Sequence, residues 1–218
     1  MAPFLNIDLG ELDDEPAELY ALAHVANIAC GGHAGDEASI ARALARCAAG
    51  GAVVGAHPSY PDRAGFGRTR MAMAPAALAD AVAEQCARLP GATWLKPHGA
   101  LYHAADADPA VADAVLDGAA RSLPRFGVIG PGGGALAQAC RRRGLALAVE
   151  GFADRAAREI GGRLVLVPRG APGALIVDPD AAAETARRLC ARVDTICVHG
   201  DTPGAVAIAR AVRRVLDG

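Results

Sequence analysis

Short apolar runs without polar alternation recur along the chain at Phe4–Leu9, Val25–Cys30, Ala52–Ala56, Thr93–Leu95, Phe126–Ile129, Leu145–Val149 and Thr195–Val198. Runs of this length and character predict strands buried on both faces. Amphipathic stretches between them predict helices over Glu15–His24, Asp36–Ala49, Pro75–Arg88, Pro109–Ser122, Gly134–Arg143, Asp180–Arg192 and Thr202–Leu216. Asp36 with Ser39, Pro75, Pro109, Asp180, and Thr202 followed by Pro203 supply caps or preset first turns. Gly50-Gly51, Gly91 and Gly144 supply stops. The order is a strand-helix unit repeated about seven times, with an extra strand or hairpin at Arg163–Val167.

Such alternation implies right-handed crossovers and a parallel sheet, either open or closed into a barrel. Two features favour the barrel. No Gly-x-Gly-x-x-Gly follows the first strand, and unusual polar residues follow nearly every strand rather than one pair of strands. No linker, low-complexity tract or repeat divides the chain, so a single domain over 1–218 is expected.

Composition narrows the function classes. Hydrophobic residues make up 52 % of the 218, yet no stretch reaches the length of a membrane helix. The N-terminus lacks a basic segment and an apolar core of signal length, which points to the cytoplasm. A net charge of −2 offers no basic field for nucleic acid. The six cysteines are widely spaced with no Cys-x-x-Cys pair, and Cys47, Cys86, Cys140 and Cys190 fall in helical patterns as small apolar fillers.

The candidate chemistry clusters after the strands: Asn6 and Asp8; Asn27, Cys30 and His33; His57; Lys96 and His98; Gly130 to Gly134; Glu150, Asp154 and Arg155; His199 and Asp201. Strand C-terminal ends are where parallel α/β folds build sites, so these residues are expected to share one pocket. Asp8, near the end of an apolar strand, needs a cation, metal or histidine nearby to stay ionised, and is a candidate general base or metal ligand. His33 sits in the glycine-rich loop Gly31–Asp36, and His57 opens a long loop, Ser59 to Arg70, of the kind that forms lids or binding sites. Arg63 and Arg68 in that loop are either ligand-binding or part of a solvated patch. Lys96 on the last residue of a buried strand requires a depressed pKa or an anionic partner. Gly130–Gly134 lacks the Lys-Ser/Thr of a phosphate loop, and Arg141–Arg143 complements the end of its helix. His24 and His103 read as surface or satisfied core residues.

Five segments, Asn6–Glu11, Ala26–Asp36, Gly55–Arg63, Lys96–Tyr102 and Val198–Asp201, with Gly151–Arg155 and Leu166–Arg169, resemble the LamB/YcsF family over nearly the whole chain and in the same order. The resemblance implies a seven-stranded, somewhat irregular (β/α) barrel related to polysaccharide deacetylases and glycoside hydrolases. It implies the opening of the lactam of 5-oxo-L-proline to L-glutamate with ATP as co-substrate, in a complex with partner subunits B and C. The chain departs from that family at Gly32, where Phe is usual, at His103, where Asn is frequent, and at Ala156-Ala157, where a Tyr is expected. Placed on this chemistry, Asp8, His33, His57 and His98 are the catalytic candidates. Lys96, Arg63, Arg155, Arg169, His199 and Asp201 are the substrate-binding candidates. Two other functions remain open: a metal-dependent, deacetylase-like amide hydrolase using a divalent cation, and a non-catalytic regulatory binding subunit.

Overall fold

The computed structural model describes residues 3–161 and 163–218. Nine strands and eight helices are found among them: β1 (Phe4–Leu9), α1 (Ala17–Leu22), β2 (Val25–Ala29), α2 (Glu37–Gly50), β3 (Val53–His57), α3 (Pro75–Ala87), β4 (Trp94–Leu95), α4 (Gly99–Ala107), α5 (Pro109–Ser122), β5 (Gly127–Gly130), α6 (Ala135–Arg143), β6 (Leu147–Phe152), β7 (Ala157–Ile160), β8 (Arg163–Leu166), α7 (Pro179–Leu189), β9 (Thr195–His199) and α8 (Ala205–Asp217). Seven parallel strands close in the order β1-β2-β3-β4-β5-β6-β9, and β9 pairs back to β1. The extra element is an antiparallel hairpin of β7 and β8 between β6 and α7.

Three strands run past their expected ends. β3 includes His57, β6 extends to Phe152 through Glu150, and β9 includes His199. The residues that end an apolar run are here the inward-facing residues of the upper barrel, because side chains alternate across the pleat. Two helix starts also shift. Asp178, not Asp180, caps α7 by accepting from the Ala181 N–H at 2.8 Å. Thr202 does not cap α8, because its hydroxyl donates to Asp154 at 2.6 Å, and the helix begins after Gly204. The first helix is shorter than expected, and His24 lies beyond it with Nδ1 accepting from the Leu5 N–H at 2.9 Å.

Apolar burial occurs in two places. Leu5, Ile7 and Leu9 on one face of β1 join the large cluster shared with the surrounding helices. A small separate cluster of Val25, Ile129 and Ala148, with Phe4 and Trp94 against it, fills the base of the barrel. The Phe4 and Trp94 rings lie 5.5 Å apart. This single tryptophan fits because its neighbour in the sheet is Gly127: a Cβ there would lie 2.6 Å from the indole ring. Above this plug the interior turns polar. Asn6 donates to Thr195 Oγ1 at 2.9 Å, and Asn27 donates to Asn6 Oδ1 at 2.8 Å and to Asp8 Oδ1 at 2.9 Å. These buried amides are thus satisfied largely by one another, as burial requires.

Gly127→Ala is expected to lose about 1–3 kcal/mol of stability in denaturant unfolding, from overpacking against Trp94. Combined with Trp94→Leu, most of that loss should disappear. Equal costs in the two backgrounds would show that the indole does not occupy this space.

Candidate active site

Lys96, just past β4, is 2 % exposed and lies inside the upper barrel. Its Nζ is 2.8 Å from Asp8 Oδ1, 2.7 Å from Glu150 Oε1, 3.1 Å from Asn6 Oδ1 and 3.1 Å from Cys197 Sγ. Burial opposes its charge, but Asp8, Cys197 and Glu150 outweigh burial and raise the ammonium pKa well above its ordinary value. Asp8 answers in kind. Burial would neutralise it, yet His57 and Lys96 hold its carboxyl well below the ordinary range. The Phe152 ring faces the ammonium at 5.4 Å, and β6 thereby contributes both a counter-ion and a π-face.

Three histidines gather around Glu11 beside this hub. Glu11 Oε1 is 3.0 Å from His33 Nε2, 3.3 Å from His98 Nδ1 and 3.9 Å from His57 Nε2. His33 and His98 stack with centroids 3.6 Å apart, and His98 Nδ1 lies 3.0 Å from His57 Nε2. His57 also links the group to the hub, with Nε2 at 3.5 Å from Asp8 Oδ2. Burial pushes the His33 imidazole down to about 4 and lowers His98 as well. One ligand atom from each of Glu11, His33, His57 and His98 lies within 4.8 Å of the others, a grouping able to hold a metal ion.

The loop from Ser59 to Arg70 covers these rings. Asp62 shapes it, accepting from the Gly65 N–H at 2.8 Å and the Thr69 N–H at 3.2 Å. Phe66 sits at φ 53, a left-handed conformation that costs a bulky residue energy, with its ring 5.3 Å from His33. Gly67 follows at φ +65, where any Cβ would lie 2.9 Å from both His33 and His98. The departure at Gly32 has a local cause too. Gln85 accepts from the Ser59 N–H at 3.0 Å and donates to the Ser59 carbonyl at 2.9 Å, and a Cβ at residue 32 would collide with Gln85 Oε1.

On the opposite side, Asp154 orients His199. Its carboxylate is 3.0 Å from His199 Nδ1 and accepts the His199 backbone N–H at 2.9 Å, leaving Nε2 at 3.8 Å from Asp8 Oδ2. Burial works against the imidazolium, but Asp154 and Asp8 raise the His199 pKa above its usual value. At the rim, Asp201 pairs with Arg68 at 2.9 Å and with Arg169. Arg155 donates to the Val167 carbonyl at 2.8 Å, while its buried Nε has no hydrogen-bond partner among the described residues. Burial and the neighbouring Arg169 depress its pKa.

Asp8, His57, Lys96, His98, His199, Arg68, Arg155 and Arg169 all line one cleft of about 270 Å³. His33 lies behind His98, and Asp201 holds the rim arginines. Arg63 is not brought to the cleft. Its guanidinium donates to the Gly35 carbonyl at 2.7 Å and the Gly31 carbonyl at 3.3 Å, fastening the loop after β2. Glu150, expected with the other strand-end residues, joins the site, and so do Glu11, Cys197 and Tyr102, which the sequence does not single out as site residues. Glu11 and Tyr102 stand in the segments after β1 and β4, whereas Cys197 sits inside the apolar strand β9. The Gly130–Gly134 turn has its own carboxylate, since Asp106 lies against Gly134 at the start of α6.

A closed β/α barrel whose strand ends converge on buried acids, histidines and a lysine belongs to a class of fold that builds its sites at the C-terminal mouth. Within it, the chain belongs to the LamB/YcsF family, which it matches over residues 4–218. It is 41 % identical to the A subunit of 5-oxoprolinase from Streptomyces avermitilis, across 98 % of this chain and 95 % of that protein. The corresponding A subunit from Streptomyces griseus is 42 % identical, with 98 % and 95 % covered. The crystal structure of a lactam utilization protein from Thermus thermophilus superposes with a TM-score of 0.87 at 33 % identity, covering 100 % of this chain and 96 % of that one.

Asp154→Asn keeps the shape of the His199 contact but removes its charge. The His199 imidazole pKa is expected to fall toward or below about 6.5, its unperturbed value, in an NMR titration. An unshifted titration would mean that Asp154 does not set the charge of this ring.

Proposed function

We propose that this chain is the lactam-binding subunit of an ATP-dependent 5-oxoprolinase, which converts 5-oxo-L-proline, ATP and two water molecules into L-glutamate, ADP and phosphate. The observation that carries this reading is the convergence of Asp8, Lys96, His199 and the rim arginines on one small cleft at the barrel mouth. The relatives that bear the name of the 5-oxoprolinase A subunit and the lactam utilization protein supply the substrate class. A volume of about 270 Å³ suits a compact molecule, just below the roughly 300–1,000 Å³ usual for sites of drug-sized ligands.

The substrate has a carboxylate and a planar amide, and the cleft answers both. Arg68, Arg155 and Arg169 crowd one wall, with Asp201 paired to Arg68 and Arg169, and Arg155 keeps an Nε that is unpaired among the described residues. Crowded guanidinium groups favour an anion between them, and arginine grips a carboxylate in bidentate fashion. Amide resonance resists attack by water. Phosphorylation of the amide oxygen by ATP would relieve it, and the partner subunits B and C handle that phosphoryl chemistry, since this chain has no phosphate-loop motif.

Asp8 is held ionised and accepts a hydrogen bond from the attacking water. Lys96 fixes that carboxylate and supplies positive charge to a developing oxyanion. His199, kept protonated to a higher pH by Asp154, delivers the proton that the ring nitrogen needs as the C–N bond breaks, and a second water then releases phosphate from the resulting γ-glutamyl phosphate. Among the described residues no helix is long and apolar enough to cross a membrane.

In a complex reconstituted with B and C, Asp8→Asn and His199→Gln are each expected to lower 5-oxoproline-dependent glutamate formation by roughly 10²-fold or more. Omission of this chain should abolish the 5-oxoproline dependence of ATP hydrolysis. A regulatory binding module would tolerate both single substitutions. Unchanged glutamate formation with Asp8→Asn and with His199→Gln would refute the catalytic assignment.

A further inference from the structure

We infer that Glu11, His57 and His98, with His33 holding Glu11 in place through its Nε2, form a binding site for one divalent transition metal of the zinc class. The inference goes beyond the lactam reading and stands on donor geometry alone.

The orientation of two imidazoles carries it. His57 Nδ1 lies 2.7 Å from the Lys96 carbonyl oxygen, and His98 Nε2 lies 3.0 Å from the Phe66 carbonyl oxygen. A carbonyl oxygen only accepts, so each neutral ring keeps its proton on that outer nitrogen. The inner nitrogens, His57 Nε2 and His98 Nδ1, then face each other as bare lone pairs only 3.0 Å apart. Two lone pairs at that distance repel unless a positive centre sits between them. An outer N–H anchored on a carbonyl, with the inner nitrogen presented bare, is the arrangement that second-sphere groups impose on metal-ligating histidine.

The spacing agrees. A tetrahedral ion with nitrogen and oxygen ligands at about 2.0–2.2 Å places neighbouring ligand atoms about 3.3–3.6 Å apart. The observed separations among the three ligand atoms are 3.0 Å for His57 to His98, 3.3 Å for His98 to Glu11 and 3.9 Å for His57 to Glu11. Two imidazoles and one carboxylate suit zinc and its neighbours in the first transition row rather than calcium or magnesium. The cover of Phe66 and Gly67 closes the rings against water on one side.

A second trio, Asp8, Cys197 and His199, is also close enough to be considered. It already has its cation. Lys96 Nζ lies 2.8 Å from Asp8 Oδ1 and 3.1 Å from Cys197 Sγ, where an ion would have to go. The two groups therefore divide the work: an ammonium serves one and a metal the other. An ion held by Glu11, His57 and His98 would keep an open position and act as a Lewis acid beside Asp8.

The test uses the full chain, stripped with chelator and then titrated separately with zinc and with cobalt(II), read by calorimetry and by the visible spectrum of cobalt. The expected result is one equivalent bound per chain, a tetrahedral cobalt spectrum and a raised unfolding temperature with zinc. The isosteric Glu11→Gln and the shorter His98→Ala should each weaken binding by about tenfold or more. Failure to bind either ion would overturn the site and leave a proton shared between His57 and His98 as the positive centre. Binding that survives Glu11→Gln and His98→Ala but is lost in Cys197→Ser would equally overturn it. The reconstituted complex separates this inference from the lactam reading: full 5-oxoproline turnover by a chain that binds no metal would remove the metal and leave that reading standing.

Discussion

A protonated amine inside a closed barrel is the constraint on which the rest of this structure depends. Taking the Lys96 ammonium out of water costs several kcal/mol, and only close anions with good geometry can offset it. Asp8 and Glu150 do so from two different strands, at 2.8 and 2.7 Å, while Asn6 and Cys197 complete the shell. Strands β1, β4, β6 and β9 thus each contribute to, or lead into, one ion cluster that holds together only if the barrel closes. The same cluster leaves the mouth with more carboxylates than Lys96 can neutralise, and this excess is what the histidines on either side answer.

The division between base and mouth follows from the sheet's own periodicity. Along β1 the inward positions pass from Phe4 through Asn6 to Asp8, from apolar plug to amide to acid. Trp94 and the glycine beside it fill the base so that the polar upper interior does not open onto solvent from below. Around the mouth, the Asp154–His199 pair and the Glu11 cluster stand on opposite sides of Asp8 and hold their rings by different means. A carboxylate fixes His199, whereas backbone carbonyls fix His57 and His98. Those carbonyls belong to Lys96 itself and to the strained Phe66, so the ion hub and the covering loop both aim the histidines. That is a physical reason for a bulky residue to accept a left-handed backbone there.

Much of this is legible in the chain. The seven apolar runs are the seven barrel strands in order, and the extra segment at residues 163–167 is recognisable as an addition to them, although only as the second strand of the hairpin, since β7 goes unread. The strand ends read short for one reason: His57, Glu150 and His199 interrupt apolar runs and look like loop, although in a barrel with a polar interior an inward-facing polar residue continues the strand. Helix α4 leaves no start signal because it follows directly on the Lys96–His98 turn without a side-chain cap. Of the candidate site, Asp8, His57, Lys96, His98 and His199 meet at one cleft, and Arg63 fastens a loop instead. Burial of Glu150 and Cys197 against an amine far away along the chain leaves no local mark in a sequence. It becomes visible only when parallel register sets Asn6 beside Cys197 and Glu150 beside Thr195.

The central claim is that Lys96, Asp8 and Glu150 act as one charged unit. A thermodynamic cycle by denaturant unfolding, comparing Lys96→Met in the native background and in one carrying Asp8→Asn with Glu150→Gln, tests it most directly. Breaking the unit from the lysine side alone should cost roughly 3–5 kcal/mol, because two buried carboxylates lose their counter-ion, and much less once both acids are neutral amides. Equal costs in the two backgrounds would contradict the account.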